Sequence, residues 1–339
     1  MKRLKATSVL IMLLLSSLVL LVPAPAAAEA GPMDLFTTTD RTVLVELFTG
    51  AACPPCVNID VGLEDFLDDH DRTEVAALLY HQNIPSADKF ATQETADRQD
   101  FYWAKGYNYA PEFVVDGSYY YLGGMASSAL AQQWFEDKYS TQSVNGSQLS
   151  IDVDAQIAPS MYGQIWVNVT ALEAPDYANL YLHVVVVRKY YGPWNGGNGH
   201  VDHVYSVRKM LPDADGDPFV ISSGQTKAFN YDFDLARDGD LSDYEDMAVV
   251  AFVQTHSKNR IIMDADTDRY LAAILQSKYA DFRTISNVAP VLSSGHVEAP
   301  ARLTQDEELS FKVFYADPDD HPNTGPSEVM VSFKNGTAA

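Results

Sequence analysis

Along residues 41–139, short apolar runs alternate with stretches whose apolar positions recur at helical spacing. Thr42-Val-Leu-Val-Glu-Leu-Phe48 is a run of strand length. Ile59, Leu63, Phe66 and Leu67 then fall at i, i+4, i+7 and i+8, one face of a helix. Val75–Tyr80 predicts a second buried strand, and Ser86–Tyr107 a largely helical stretch with an irregular start. Glu112–Asp116 and Tyr119–Leu122 predict short strands around an Asp116-Gly117 turn. A last helix follows, capped by Ser127 or Ser128, with Leu130, Trp134 and Phe135 facing inward.

After a polar linker at 141–147 the pattern changes to strands. They are expected at Gln148–Val153, Gly163–Ala171, Asn179–Lys189, Tyr205–Met210, Ala228–Phe233 and Met247–Gln254. Turn clusters between them predict an antiparallel, immunoglobulin-like β-sandwich over 148–266. Tyr270, Leu271, Ile274, Leu275 and Tyr279 sit at helical spacing, so 267–283 is expected to be a helical linker. Leu309–Tyr315 and Val329–Phe333 alternate like sandwich strands, and 288–339 is expected to be a partial immunoglobulin-like module of a longer chain.

Residues 1–30 read as an address. Lys2, Arg3 and Lys5 precede an apolar run of about fourteen residues, Val9–Val22, and Ala26-Ala-Ala-Glu-Ala30 offers a small-residue cleavage site. The run is short for a membrane span, so the mature chain is expected to be exported without one, to the periplasm, cell surface or exterior. The 339 residues carry 46 Asp and Glu against 23 Lys and Arg, a formal charge of −23. That surface repels phosphate backbones and argues against a nucleic-acid partner.

The chain has only two cysteines, in Cys53-Pro54-Pro55-Cys56 between the first strand and the first helix. Cys53 is placed as helix N-cap, where unpaired N–H groups and the helix dipole favour a thiolate. Pro54 suits the first helical position, and Cys56, one turn inside, would resolve a mixed disulfide. A structural disulfide is an alternative, although so tight a loop gains only about 2 kcal/mol by chain entropy. A zinc half-site would need further ligands, and no other cysteine exists.

The span Val43–Gly124 resembles a thioredoxin fold: a strand, CxxC at a helix start, then a proline before a later strand. Val45-Glu-Leu-Phe-Thr-Gly50, Val114-Val-Asp-Gly117, Val201–Pro212 and Val249–Gln254 are similar to segments of exported thioredoxin-fold proteins related to a 28-kDa outer-membrane protein. Those proteins follow the thioredoxin unit with a β-domain. A second group of exported thioredoxin-like proteins shares the Glu-Leu-Phe-Thr lead-in and a segment like Arg98-Gln99. The resemblance implies an α/β thioredoxin-like domain at 35–140 ahead of the β-sandwich. It also implies that Pro111 is a cis-proline which, with Ala110, docks substrate backbone, and that Glu46 takes the proton of the resolving cysteine. The spacing from Glu46 to Cys53 is one residue longer than in that family, and an outward or salt-bridged Glu46 is the alternative reading. Ala52 stands where an aromatic residue usually precedes the first cysteine. No His lies between Cys53 and Cys56, unlike the strongly oxidising periplasmic enzymes, so a reductase- or isomerase-like potential is expected.

Other sites are sparser. Asp213, Asp215 and Asp217 around Gly216 resemble the start of a calcium loop, but Gly224 occupies the position of the closing Glu, and an acidic hairpin turn fits as well. His200 and His203 would need a third ligand to hold a metal. Asn145, Asn168 and Asn335 begin glycosylation sequons. The expectation is an exported thiol–disulfide oxidoreductase whose only redox group is the Cys53–Cys56 pair. It would act on client proteins bearing thiols or disulfides and exchange electrons with a partner protein. The competing expectation is a non-catalytic surface binding or structural protein with an inert disulfide.

Overall fold

The computed structural model describes residues 38–103, 109–236, 244–261 and 269–285 in full, and the backbone alone at 262, 268, 291–298, 308–316 and 327–334. The proposed leader at 1–30 and Asn335 lie outside the described residues.

The first block has the element order read from its pattern: β1 (Val43–Thr49), α1 (Val57–Asp68), β2 (Val75–His81), α2 (Gln93–Tyr102), β3 (Glu112–Val115), β4 (Tyr119–Leu122) and α3 (Ser128–Gln142). β1 runs parallel to β2 and antiparallel to β3. Every residue of β1 and β2 is buried, which explains why both read as continuous apolar runs rather than alternating ones. Thr92 caps α2 and Ser127 caps α3 through their side-chain oxygens.

The strands expected after the linker are present as β5 (Leu149–Ile157), β6 (Tyr162–Ala171), β7 (Leu180–Tyr191), β8 (His203–Leu211), β10 (Thr226–Asp234) and β11 (Met247–Thr255), with a short β9 (Asp217–Phe219) between them. They divide between two sheets, one of which is shared with the first block. β8 lies parallel beside β2, so one mixed sheet runs in the order β14 (Ile274–Asp281), β11, β7, β8, β2, β1, β3, β4, with β9 attached to β7. A second sheet, in the order β10, β6, β5 and β15 (Arg283–Thr284), packs on part of it.

Side-chain alternation divides the interior into three cores. Val43, Val45 and Leu47 face α1 and α3, while Leu44 and Phe48 face the core that takes in Tyr102 of α2. On β7, Leu182, Val184 and Val186 face the second sheet, and Val185 and Val187 turn into the α2-side core. That core therefore runs beneath both blocks. The chain is a mixed α/β protein.

The expected helix at 267–283 is not formed. The segment makes β13 (Asp268–Leu271), which pairs antiparallel with β12 (Asn259–Ile262), then β14 and the start of β15. Ile274 and Leu275 enter opposite cores, because β14 is sandwiched while paired along β11. Two adjacent buried residues in such a strand copy the spacing of a helix face. Tertiary pairing then overrides local preference. In the tail, β16 (Val291–Glu298), β17 (Glu308–Ala316) and β18 (Ser327–Lys334) form a three-stranded antiparallel sheet.

Candidate functional site

The Cys53–Cys56 pair sits at the C-terminal end of β1, where the chain turns through Gly50–Ala52. Cys53 has extended backbone (φ −90°, ψ 106°), and Pro54–Cys56 form a 3-10 turn that runs into α1. Proline fits there because those first N–H groups have no helical partner to lose. The cysteines form a disulfide with S–S 2.06 Å and Cα–Cα 5.4 Å. No side chain caps the turn or α1, which leaves the N-terminal backbone donors and the helix dipole to favour negative charge on sulfur after reduction. Cys53 is 2% exposed and Cys56 fully buried, although Pro54 and Pro55 between them are exposed.

The Ala110–Pro111 peptide is cis and enters β3 beside the pair, with the Ala110 carbonyl oxygen 3.5 Å from Cys53 Sγ. Pro111 accepts a hydrogen bond from Gly123 N (2.9 Å), and a side chain at Gly124 would overlap Pro55. The hairpin end thus leans on the exposed face of the Cys-Pro-Pro-Cys turn.

Glu46 is not brought to the cysteines. It projects to the α2 side of the sheet, opposite the face covered by α1, and is fully buried. Arg98 pairs with both its oxygens (2.8 and 3.1 Å), and the Tyr80 (3.0 Å) and Tyr102 hydroxyls donate to it. Gln254 on β11 joins the network through Arg98 (2.9 Å) and Tyr102 (3.0 Å). Burial, then the Glu46 charge, hold both phenols well above the usual range. A carboxylate so paired anchors structure rather than accepting a proton from Cys56. The neighbouring Gln99 reaches the other way, donating to Glu112 (2.8 Å) and the Tyr109 carbonyl (2.7 Å) beside the cis peptide. Burial lifts the Glu112 carboxyl to about 7, against the opposing charge of Arg269.

The buried acid on the cysteine helix is Asp60. It lies four residues after Cys56, hence on the same helical face, is 5% exposed, and accepts from Thr49 Oγ1 at 2.7 Å. Burial raises it to about 6, with the Thr49 bond and the nearby His200 and His81 opposing. Its signal in the sequence was its position: Cys56, Ile59, Asp60 and Leu63 share one inward helical face.

Two further loops hold the turn before Cys53. Buried His81 Nδ1 contacts Asp88 (2.8 Å), and Asp88 accepts from the backbone N–H of Ala51 (2.7 Å) and Phe90 (2.9 Å). Burial disfavours the Asp88 charge, yet these contacts outweigh it and hold the carboxyl below its usual range. From the β7–β8 connection, Asn198 donates its backbone N–H to Ala51 O (3.2 Å) and its side chain to Cys53 O (3.2 Å) and Gly50 O (3.4 Å). His200 in the same loop contacts Glu64 of α1 at 3.0 Å. Burial opposes the His200 charge, but Glu64 overrides it and raises the imidazole.

Residues 44–254 match the profile of the family described as "Protein of unknown function (DUF1223)". The chain belongs to the DUF1223 family. Comparison with curated proteins finds no match. Among solved structures, HBP35 of Porphyromonas gingivalis superposes with a TM-score of 0.56 at 14% identity, covering 86% of this chain and 98% of its own, and shares the fold. A domain of the outer membrane lipoprotein Omp28 from the same organism aligns at a TM-score of 0.27 and 15% identity, over 41% of this chain and 92% of the domain.

The DUF1223 span includes the cysteines, Asp60, the cis peptide and the loop bearing Asn198, so these belong to one family unit. The acidic turn lies within it too. Asp213 caps Asp215 N (2.9 Å), whereas Asp217 opens β9 and accepts from Tyr231 (2.8 Å). His203 contacts the Trp194 carbonyl (2.9 Å), and burial lowers it to about 4. Asn145 is exposed beyond α3, and Asn168 is exposed on β6. Among the described residues no helix is long and apolar enough to cross a membrane.

Proposed function

We propose that this DUF1223 chain is an exported thiol–disulfide oxidoreductase of thioredoxin-like design, acting on the disulfides or thiols of other proteins. The observation that carries it is the Cys53–Cys56 disulfide at the start of α1, with the carbonyl before cis-Pro111 3.5 Å from Cys53 Sγ. Once reduced, Cys53 attacks a client disulfide, one client sulfur leaves as thiolate, and a mixed disulfide forms. Cys56 then attacks Cys53, releases the second client thiolate and regenerates the Cys53–Cys56 bond, so two electrons pass to the client. Cys56 must lose its proton inside the protein, and Asp60, one helical turn away, is the acceptor this chain offers. A partner protein restores the dithiol.

Insulin reduction tests this reading. Wild-type protein is expected to accelerate insulin precipitation in the presence of dithiothreitol, and Cys53→Ser to abolish the acceleration. A wild type no faster than dithiothreitol alone overturns it. With no His between the cysteines, equilibration against glutathione is expected to give a potential well below the strong oxidants' value of about −120 mV.

The burial of Cys53 favours a second reading, a binding or structural protein with an inert disulfide. Ala52, in the position of an aromatic docking residue, points the same way. The insulin experiment separates the two.

A further inference from the structure

Cys53 is buried although the prolines beside it are exposed, and the backbone of the turn that carries it is held by a distant part of the chain. The β7–β8 connection, Gly192–His200, lies along Gly50–Cys53. Its base is firmly held: Trp194 N donates to Val201 O (2.9 Å), and the Trp194 ring stands edge-on to Phe90 (5.4 Å) with Lys89 above it (4.4 Å). Its tip, Asn195-Gly-Gly-Asn-Gly199, is almost free of side-chain bulk. A side chain at Gly196 would overlap Ala51, and Gly197 and Gly199 have φ of +130° and +95°. What fastens the tip is Asn198, through Ala51, Gly50 and Cys53, with the His200–Glu64 contact behind it. All three partners of Asn198 on the cysteine turn are backbone carbonyls. One of the three donors is the Asn198 backbone N–H and two are its side-chain amide, so the tip meets the turn through N–H donors, as an extended polypeptide would.

We propose that the Asn195–Gly199 tip is a gate over Cys53, held shut by Asn198, which a client displaces by offering N–H donors of its own to the Gly50, Ala51 and Cys53 carbonyls. The substrate class that follows is a cysteine in an extended, unfolded segment with small flanking residues, since the tip packs against Ala51 and Ala52. A disulfide buried in the core of a folded protein cannot take the place of the tip, whereas one on an exposed chain segment can. The inference rests on the oxidoreductase reading for its client, but the gate itself is testable without one.

The test is reduction of the full-length protein by excess dithiothreitol, followed by quenching and alkylation. A thiolate attacks Cys53 Sγ, the Cys53–Cys56 bond breaks, and Cys56 leaves as a thiolate that takes a proton. The second dithiothreitol thiol then displaces Cys53, so the reagent is oxidised to its cyclic disulfide and the protein gains two electrons and two protons. Asn198→Ala is expected to reduce about tenfold faster than wild type, with an unchanged circular dichroism spectrum, and Asn198→Gln to fall between. Equal rates in wild type and a folded Asn198→Ala overturn the gate. Where Asn198→Ala fails to fold, reduced wild type decides. Relative to free cysteine, its Cys53 is expected to react at least about tenfold more slowly with a 5-kDa maleimide polymer than with iodoacetamide. No size discrimination overturns the proposal. A gate effect without insulin turnover in any variant sinks the oxidoreductase reading alone, and turnover without a gate effect sinks the gate alone.

Discussion

Two acids are buried near the cysteine pair, where the family resemblance pointed to one. Glu46 lies in an apolar run buried on both faces, so nothing in the order of residues tells which side of the sheet it takes. Arg98, 52 positions away, decides it. Asp60 was more legible, because a carboxylate four residues after a buried cysteine must share its helical face. Each residue carries a different prediction. Arg98→Met leaves Glu46 buried without its counter-charge and is expected to cost about 3–5 kcal/mol in urea unfolding, with Glu46→Gln/Arg98→Met recovering much of it. The dithiothreitol reduction rate of the folded fraction should not change. For Asp60 the pH sign runs the other way from an ordinary ion-paired acid. With its folded value raised to about 6, the native state binds more protons than the unfolded chain between about pH 4 and 6, so stability falls as pH rises through that window, by roughly 3 kcal/mol. Asp60→Asn is expected to remove that fall and to be the more stable protein at pH 8, while resolving mixed disulfides more slowly. A steeper loss of stability with pH in the variant would contradict the assignment.

At the scale of elements, strongly patterned segments were readable and context-dependent ones were not. β1, α1 and β2 each carry a continuous or helical apolar signal that their burial reproduces. The 267–283 segment failed because its apolar spacing suits a helix face and a doubly buried strand equally, and only pairing with β11 separates them. The loop at 192–200 gave no signal beyond its glycines. Its closeness to Cys53 depends on β7 and β8 bringing it to the end of β1. If β14 is a strand between two cores, Ile274→Ala and Leu275→Ala should each cost about 2–4 kcal/mol in denaturant unfolding. A solvent-facing helix would lose such energy at one of the two at most.

At the scale of the molecule, the change from alternating elements to strands near residue 145 reads as a domain boundary, yet the main sheet crosses it. β8 pairs with β2, and Val185, Val187, Phe252 and Ile274 share a core with Leu44, Phe48 and Tyr102. Gln254 bonds to Arg98, which pairs with Glu46, so the second block also contributes to the buried polar network of the first. The second block supplies Asn198 to the cysteine turn as well. A fragment of residues 38–146 would expose the flank of β2, uncover one face of that core and strip Gln254 from the buried pair. It is therefore expected to give an aggregating or molten species with little near-ultraviolet circular dichroism, while the longer chain 38–285 unfolds in a single transition seen alike by tryptophan fluorescence and far-ultraviolet circular dichroism. A monomeric 38–146 fragment with a sharp melting transition close to that of the longer chain would show instead that the redox block is autonomous and the shared sheet an accessory. In that case the isolated fragment, lacking its gate, should also be the faster form in dithiothreitol reduction.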